Sequence, residues 1–381
     1  MDDPTTRLGI SVYFEDLADP RRAHLRRHDL MDVIVLTLCA VICGCETWED
    51  VALWGRSKAD WLKPYLRLPN GIPSHDTFNR VFRLLDPGPF DAAVRAWVAD
   101  LQRFAGLTTI AIDGKAIRHS FDTASAKTAL QVVSAWAVEN GLSLGQVAVE
   151  DGSNEIAALP KLLDLLDVSG CLVTIDAVGC QTGIAAKVRE RGGDYVLALK
   201  GNQPALHQAV TDRFQAGMET GFAGLAYDHH TVTETGHGRT DERTCEVLTG
   251  VTGLPDQDRW ADLKAIICVT RISRQGGREA SAVRYYIASR AAGAAAFAKA
   301  IREHWAIENT LHWTLDVTFR EDANRTRLGH GPENLAVLRR LAVSLLKQDA
   351  STTGSIKGKT KLAGWDNAFL LRVLLTKRPE K

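Results

Sequence analysis

Two short stretches of this chain carry carboxylates in a setting suited to metal-assisted chemistry: Thr108 to Ser120 and Cys171 to Gly179. The first runs Thr-Thr-Ile-Ala-Ile into Asp113, Gly114 and Lys115, and four of those five leading residues are β-branched. A short apolar, β-branched run bounded by Gly reads as a buried strand that ends where its carboxylate emerges. The second stretch, Cys-Leu-Val-Thr-Ile-Asp-Ala-Val-Gly, repeats that design and presents Asp176. Carboxylates at the ends of neighbouring strands converge on one spot. Cations relieve their repulsion, and Mg²⁺ is the natural choice. One strand-end Asp serves equally well as a turn or cap residue, so it is the pair that points to a site.

A third acid lies far downstream. Ala294 to Leu315 has the spacing of one long helix, and near its end reads Arg302-Glu303-His304-Trp305-Ala306-Ile307-Glu308-Asn309-Thr310-Leu311-His312-Trp313. His304, Glu308 and His312 recur every four residues and so stack on one helix face. Zinc is a poor fit to the two histidines. Residues eight apart are on the order of 12 Å apart along a helix, at about 1.5 Å rise per residue, too far for one ion. The better reading is one acid, Glu308, flanked by donors that could contact phosphates.

The elements that must position these acids follow from the order of the chain. After Asp113, Leu130 to Val138 is strand-like, Asn140-Gly141 is a hairpin turn, and Leu142 to Glu150 returns as a third strand. Asn154 to Leu166 has helical spacing, the Asp176 strand follows, then a helix over Gly183 to Arg191 and a fifth strand over Asp194 to Lys200. Three strands beginning with a hairpin, then helix, strand, helix and strand, is the order of a ribonuclease-H-like core. That core is an α/β fold, a mixed sheet with helices on both faces. Its first and fourth strands are neighbours, which brings Asp113 and Asp176 together.

The rest of the chain divides around that core. Residues 1–106 read as a helical N-terminal domain able to dock on DNA ends, with Ser74 as an N-cap for the segment after it. A plain helical bundle has the same pattern. Residues 107–224 form the first part of the core and 225–290 a β-rich insertion, too long and too patterned for one loop. Residues 291–349 complete the core, and 350–381 read as a basic tail, with seven Lys or Arg from Lys357 onward against Asp366 and Glu380. Arg21 to His28 packs four Arg and two His into eight positions, either a solvated face or a phosphate-contacting arm.

Composition excludes several classes. Lys+Arg equals Asp+Glu at 46 each, so any nucleic-acid surface must come from the distribution of charge rather than its sum. Seven Cys without repeated Cys-x-x-Cys pairs fit reduced thiols in a cytoplasmic protein, and Cys39, Cys43 and Cys45 sit among Val, Ile and Leu as packing residues. The acidic start shows no signal peptide. The most apolar stretch, Met31 to Gly44, contains Asp32 and is shorter than the roughly 20 residues of a membrane span.

Taken together, several ordered motifs resemble the DDE transposases of bacterial insertion sequences, specifically the H-repeat-associated branch. In the N-terminal part they are Asp19-Pro20-Arg21 and Pro73-Ser74-His75-Asp76-Thr77. In the core they are Ile112-Asp113-Gly114-Lys115, Asn154-Glu155-Ile156, Thr174-Ile175-Asp176-Ala177 with Gly179-Cys180-Gln181, and Lys200-Gly201-Asn202-Gln203. Beyond it come His304-Trp305-x-Ile307-Glu308-Asn309, His312-Trp313-x-Leu315-Asp316-Val317 and Phe319-Arg320-Glu321-Asp322. The resemblance covers almost the whole chain and implies a catalytic and metal-holding triad of Asp113, Asp176 and Glu308. Related transposases carry a Tyr, Arg, Glu, Lys signature around the third acid. Here only the Glu is kept, the other positions being Ile301, His304 and Leu315.

The chemistry such a triad suits is phosphodiester transfer, with two Mg²⁺ ions (Mn²⁺ able to replace them) about 3.5–4 Å apart. Asp113 would bridge the ions, and Asp176 and Glu308 would each hold mainly one. Lys115, Arg118, Lys200, Arg302, His304 and His312 are the candidate DNA contacts; each also reads as an ordinary turn or helix-face residue. The expected partners are the element's terminal inverted repeats and target DNA, bound by a homodimer on paired ends in the nucleoid, with no membrane. A metal-dependent nuclease without strand transfer and a catalytically decayed DNA-binding relic are the alternatives.

Overall fold

The computed structural model describes residues 9–102, 108–122, 127–236 and 238–375. The 106/107 boundary, the first eight residues, His237 of the Gly236–Gly238 turn, and residues 376–381 of the basic C-terminal stretch lie outside them.

In chain order, short and long helices come first: α1 (Ser11–Phe14), α2 (Leu30–Ile42), α3 (Trp48–Ser57), α4 (Ala59–Leu62), α5 (His75–Leu84) and α6 (Pro87–Gln102). The middle of the chain alternates: β1 (Thr109–Ile117), β2 (Leu130–Ala137), β3 (Leu142–Ala148), α7 (Glu155–Leu165), β4 (Leu172–Ile175), α8 (Thr182–Glu190), β5 (Asp194–Leu199) and α9 (Pro204–Thr220). Four long strands follow, β6 (Ala226–Gly236), β7 (Arg239–Thr249), β8 (Ala265–Gln275) and β9 (Arg278–Ala288). The chain closes with α10 (Ala294–Ala306), a π-helical turn over Ile307–His312, α11 (Trp313–Val317), α12 (Gly331–Gln348), α13 (Ile356–Trp365) and α14 (Asn367–Leu374). This is the mixed α/β, ribonuclease-H-like order that the sequence implies, preceded by a helical N-terminal region.

The chain forms two compact units, one comprising Met1–Gly106, Gly114–Gly152 and Glu308–Lys381, the other Leu107–Asp113 and Ser153–Ile307. In the first, α2 and α12 are the buried centre: α2 is buried on every side from Asp32 to Ile42, and α12 is buried from Asn334 to Leu346. Helix α12 packs on α2, α5, α6 and β3. Two polar side chains inside this unit show how burial is compensated by hydrogen bonds. Asp32 in α2 is fully buried, and its carboxylate accepts from Arg67 N at 3.0 Å and Leu68 N at 2.7 Å. Asn334 in α12 donates to the carbonyls of Phe82 and Leu85, each at 2.9 Å. Hairpin β2–β3 turns at Gly141, whose φ of +62° suits the tight turn. Ile117 at the end of β1 is buried with Val132 and Ala336.

In the second unit, β1 pairs in parallel with β4, and β4 with β5. Strand β9 joins β5 antiparallel, and β8, β7 and β6 extend the sheet by antiparallel pairing. The β-rich insertion is therefore a continuation of this unit's sheet. Helix α10 lays Ala294, Phe297, Ala300 and Ile301 on a core that includes Leu172, Val247, Ile267 and Tyr286.

Several local expectations need correction. Strand β1 does not stop at Asp113 but runs on to Ile117, because Lys115 and Ile117 are themselves buried and continue the pleat. The helix over 294–315 is not one α-helix; the π-helical turn interrupts it at Ile307–His312. Ser74 does precede α5, yet no backbone N–H is capped by its hydroxyl, which lies 3.2 Å from Thr77 Oγ1. Helix α9, not anticipated, begins with Pro204 and ends at Gly221 in the left-handed region, φ +61°, both standard boundary residues. The described part of the basic C-terminal stretch is helical, and Lys359 there is buried, donating to the carbonyls of Leu346 and Asp349. Arg21 and Arg26 of the basic N-terminal cluster are folded onto Asp19 rather than extended as an arm. Arg21 is buried, with Nη2 2.7 Å from Asp19 Oδ2.

Candidate active site

In the second unit, β1 and β4 run side by side in register, and Ile112 pairs with Ile175. Asp113 and Asp176 each follow their paired Ile directly, so both carboxylates leave adjacent parallel strands at the same level. Both residues are partly exposed. The strand pairing on which the expected convergence depends is thus present.

The loop after Asp176 is held from several directions. Asp176 Oδ1 accepts from Val178 N at 3.0 Å and more weakly from Gly179 N at 3.4 Å. Asn202 Nδ2 donates to Ala177 O at 2.7 Å, and Gln203 Nε2 donates to Cys180 O at 2.9 Å. The Lys-Gly-Asn-Gln run after β5 thus works as a latch on the loop bearing the second acid. Gly179 is required by space: a Cβ there would meet Ile175 Cγ2 at 2.3 Å. We expect Asn202→Ala to cost no more than about 0.5–1.5 kcal/mol of stability, the net worth of one hydrogen bond. The same change should slow DNA cleavage by about ten- to a hundredfold, because small misplacements of a reacting group are expensive. Single-turnover cleavage beside a denaturation curve checks this; equal cleavage rates in wild type and variant would mean the latch is dispensable.

Three groups lie in the electrostatic reach of Asp176. Burial raises the Glu155 carboxyl above its ordinary range, and the Asp176 charge adds to that. Glu155 opens α7 and sits in the Asn154-Glu155-Ile156 motif, a signal in the sequence that carried no assigned role. Burial, with a smaller push from Asp176, takes the Cys180 thiol up to about 12. Burial lowers His304 below the ordinary histidine value against the opposing pull of Asp176, and its Nδ1 lies 3.0 Å from Thr174 Oγ1. His304 therefore belongs to the packing of α10 on β4. The strand-end acids are hard oxygen donors, the set that suits Mg²⁺ or Mn²⁺. Among the described residues, no three His, Cys, Asp or Glu side chains are grouped tightly enough to share an ion.

This unit also contains a cavity of about 240 Å³ between the sheet and α10. Arg243, Arg271, Arg284, Lys299 and Arg302 line it, together with Trp305. The Arg284 guanidinium lies over the Trp305 ring at 4.8 Å. Arg243 and Arg302 share Glu234, at 2.6 and 3.4 Å, and Arg271 pairs with Asp241 at 2.9 Å. Five cations facing one lining carboxylate leave this wall basic, although the chain as a whole is neutral. Lys200 is exposed just past β5.

In the first unit, Glu308 is exposed on the π-helical turn. A π-turn packs more residues per turn than an α-helix, and such turns recur at functional sites. His312 is 9% exposed, an interior position. Lys115 is likewise buried: its Nζ lies 2.8 Å from Asp316 Oδ1, 2.8 Å from Asp322 Oδ1 and 3.5 Å from Glu321 Oε2. Arg118 is mostly exposed, with Nε 3.2 Å from Asp322 Oδ2. Of the six basic candidates read from sequence, Arg118, Lys200 and Arg302 face solvent or the cavity, Lys115 and His312 are buried, and His304 is half-buried.

The chain is similar in sequence to known proteins over nearly its whole length. Residues 105–345 match the family described as Transposase DDE domain, and residues 11–98 match the family described as DDE_Tnp_1-associated. A protein of Escherichia coli O157:H7 named "Putative transposase YncI" is 39% identical over 370 residues, covering 95% of this chain and 93% of its own length. "H repeat-associated putative transposase YhhI" of Escherichia coli (strain K12) is 37% identical over 368 residues, covering 94% and 95%. Among solved structures, a cryo-EM structure of the piggyBac transposase synaptic complex with hairpin DNA matches with a TM-score of 0.46 and 11% identity, covering 100% of this chain and 82% of that one, a remote likeness. The chain belongs to the DDE transposases. Within them it falls in the H-repeat-associated branch. It is accordingly a DNA transposase of a family that works with divalent metal ions. No described helix is long and apolar enough to cross a membrane.

Proposed function

We propose that this transposase cleaves DNA at the terminal inverted repeats of its element and joins the freed ends to target DNA, using Asp113, Asp176 and Glu308 to hold two Mg²⁺ ions. The observation that carries the proposal is the in-register placement of Asp113 and Asp176 beyond the paired Ile112 and Ile175. Bound divalent ions supply activation of the attacking oxygen and stabilisation of the leaving oxygen. The chain's own part is to present the carboxylates, Asp113 from a paired strand and Asp176 from a loop latched by Asn202 and Gln203. Mn²⁺ fits the same oxygen donors. No side chain is needed as a covalent nucleophile, since water and then a DNA 3′-hydroxyl take that role.

Arg118, Lys200 and Arg302 are the proposed phosphate contacts, with the cationic cavity beside α10 as part of the DNA surface. Joining two ends requires them to be paired, and a homodimer is the simplest arrangement that does so. Arg302→Ala should weaken binding of terminal-repeat DNA modestly and reduce the slope of log K against log salt by about 1. An unchanged slope in a salt titration would remove Arg302 from the surface. The catalytic proposal itself is tested by nicking of terminal-repeat duplex in Mg²⁺ and in chelator. Nicking in Mg²⁺ alone supports it; equal nicking in chelator, or none at any metal concentration, overturns it.

A further inference from the structure

We propose that Lys115 is a positioning residue for cleavage, fixing the strand that carries Asp113 to the chain segment that follows Glu308. The inference rests on the reading above that these two acids serve one reaction. Lys115 stands two residues beyond Asp113 in β1, so the strand's period of two puts both side chains on the same face. Its side chain is 7% exposed, which leaves little access for a phosphate.

What it meets is three acids from the stretch just downstream of Glu308. Asp316 and Asp322 each lie 2.8 Å from Nζ, and Glu321 lies at 3.5 Å. Asp322 is also tied to the residues after Lys115, accepting from Arg118 N at 3.3 Å, while its carbonyl contacts His119 Nδ1. Glu321 is anchored from behind by Arg340 at 3.0 Å, and Arg340 Nε donates to Ser134 Oγ at 3.1 Å. One ammonium therefore fastens the β1 backbone next to the first acid to the short helix and turn that continue from the third. Without it, Asp316, Glu321 and Asp322 would face one another with one cation fewer between them and would spread.

The experiment compares wild type, Lys115→Met, Lys115→Arg and Asp322→Asn, with Asp113→Ala as the inactive reference. Three readings are taken: single-turnover cleavage, Mn²⁺ binding followed by electron paramagnetic resonance without turnover, and salt-dependent DNA binding. Lys115→Met should lower the cleavage rate constant by about a hundredfold, require more Mn²⁺ for half-saturation, and leave the DNA-binding salt slope unchanged. Lys115→Arg should recover part of both losses. If Lys115→Met does not fold, Asp322→Asn, which removes one carboxylate charge from the clamp, should show the same pattern in weaker form. Wild-type cleavage and Mn²⁺ titration in folded variants would overturn the proposal. So would a salt slope reduced by about 1, which marks a direct phosphate contact. Should wild type itself fail to cleave, the catalytic reading fails separately, and the Mn²⁺ titration alone decides the role of Lys115.

Discussion

Asp113→Ala should abolish strand cleavage while leaving the protein folded and able to bind DNA. Removing one carboxylate from a metal-assisted phosphodiester transfer forfeits several kcal/mol of transition-state stabilisation. At 1.36 kcal/mol per factor of ten, that is about a thousandfold or more in rate. Asp176→Asn should behave alike, because the two residues occupy equivalent positions on paired strands. Both side chains are partly exposed and lie outside the apolar centre of the sheet, so the fold should tolerate either change. DNA affinity at fixed salt should hold or tighten, since each substitution removes a negative charge facing phosphates. A single-turnover assay with a parallel binding titration separates the effects. Rate and affinity falling together would place Asp113 in the fold or in the DNA surface instead.

The largest effect on stability should come from Arg340→Met. Arg340 is 2% exposed and Glu321 is fully buried, with 3.0 Å between Nη1 and Oε1. Breaking a buried pair leaves the other charge uncompensated, at a cost of about 3–5 kcal/mol. An exposed pair such as Lys63–Asp60, whose side chains are 68% and 95% exposed, contributes at most about 1 kcal/mol. Set against a typical total of about 5–15 kcal/mol, only the first loss threatens the folded state. Replacing both partners by apolar residues of similar volume should restore part of the loss, less what Lys115 gives up when Glu321 goes. Burial raises the Glu321 carboxyl, but Arg340, Arg339 and Lys115 outweigh it and hold the group below the ordinary glutamate range. A depressed acid contributes its stability above the ordinary pKa of 4.5, and the contribution disappears as pH falls below that value toward the folded one. Denaturation curves of wild type should therefore steepen in their pH dependence below that point, and those of Arg340→Met should not. Parallel pH dependences would mean that the pair carries little of the stability.

Much of this was legible in the chain because it is written locally. The apolar runs before Asp113 and Asp176 each specify a buried strand, and the hairpin, helix, strand order leaves few ways to arrange them. Glu308 was reached through neighbouring motifs. The environment of Lys115 was not legible, because its partners Asp316, Glu321 and Asp322 come some two hundred residues later. From sequence alone, a Lys after Asp-Gly looks like a solvent-facing cation. The π-helical turn at Ile307–His312 was hidden for a related reason: a pattern of period four fits an α-helix, and nothing local marks where the backbone widens. His304 and His312 were accordingly placed on one helix face as possible phosphate contacts, whereas packing buries His312 and half-buries His304. The role of Asn202 and Gln203 was visible only as a motif until the carbonyls of Ala177 and Cys180 gave it a purpose. Helix α9 could have been found, since Pro204 and Gly221 mark its two ends.

The central claim is that this chain joins DNA as well as cutting it, and strand joining is the most direct measurement of that. Purified protein would be incubated in Mg²⁺ with a duplex ending at the terminal repeat with a free 3′-hydroxyl, and with a plasmid target. The account predicts covalent joining of that end to the plasmid, absent in chelator and absent with Asp113→Ala. Cut ends that accumulate in Mg²⁺ and are never joined would contradict it and leave a metal-dependent nuclease in its place.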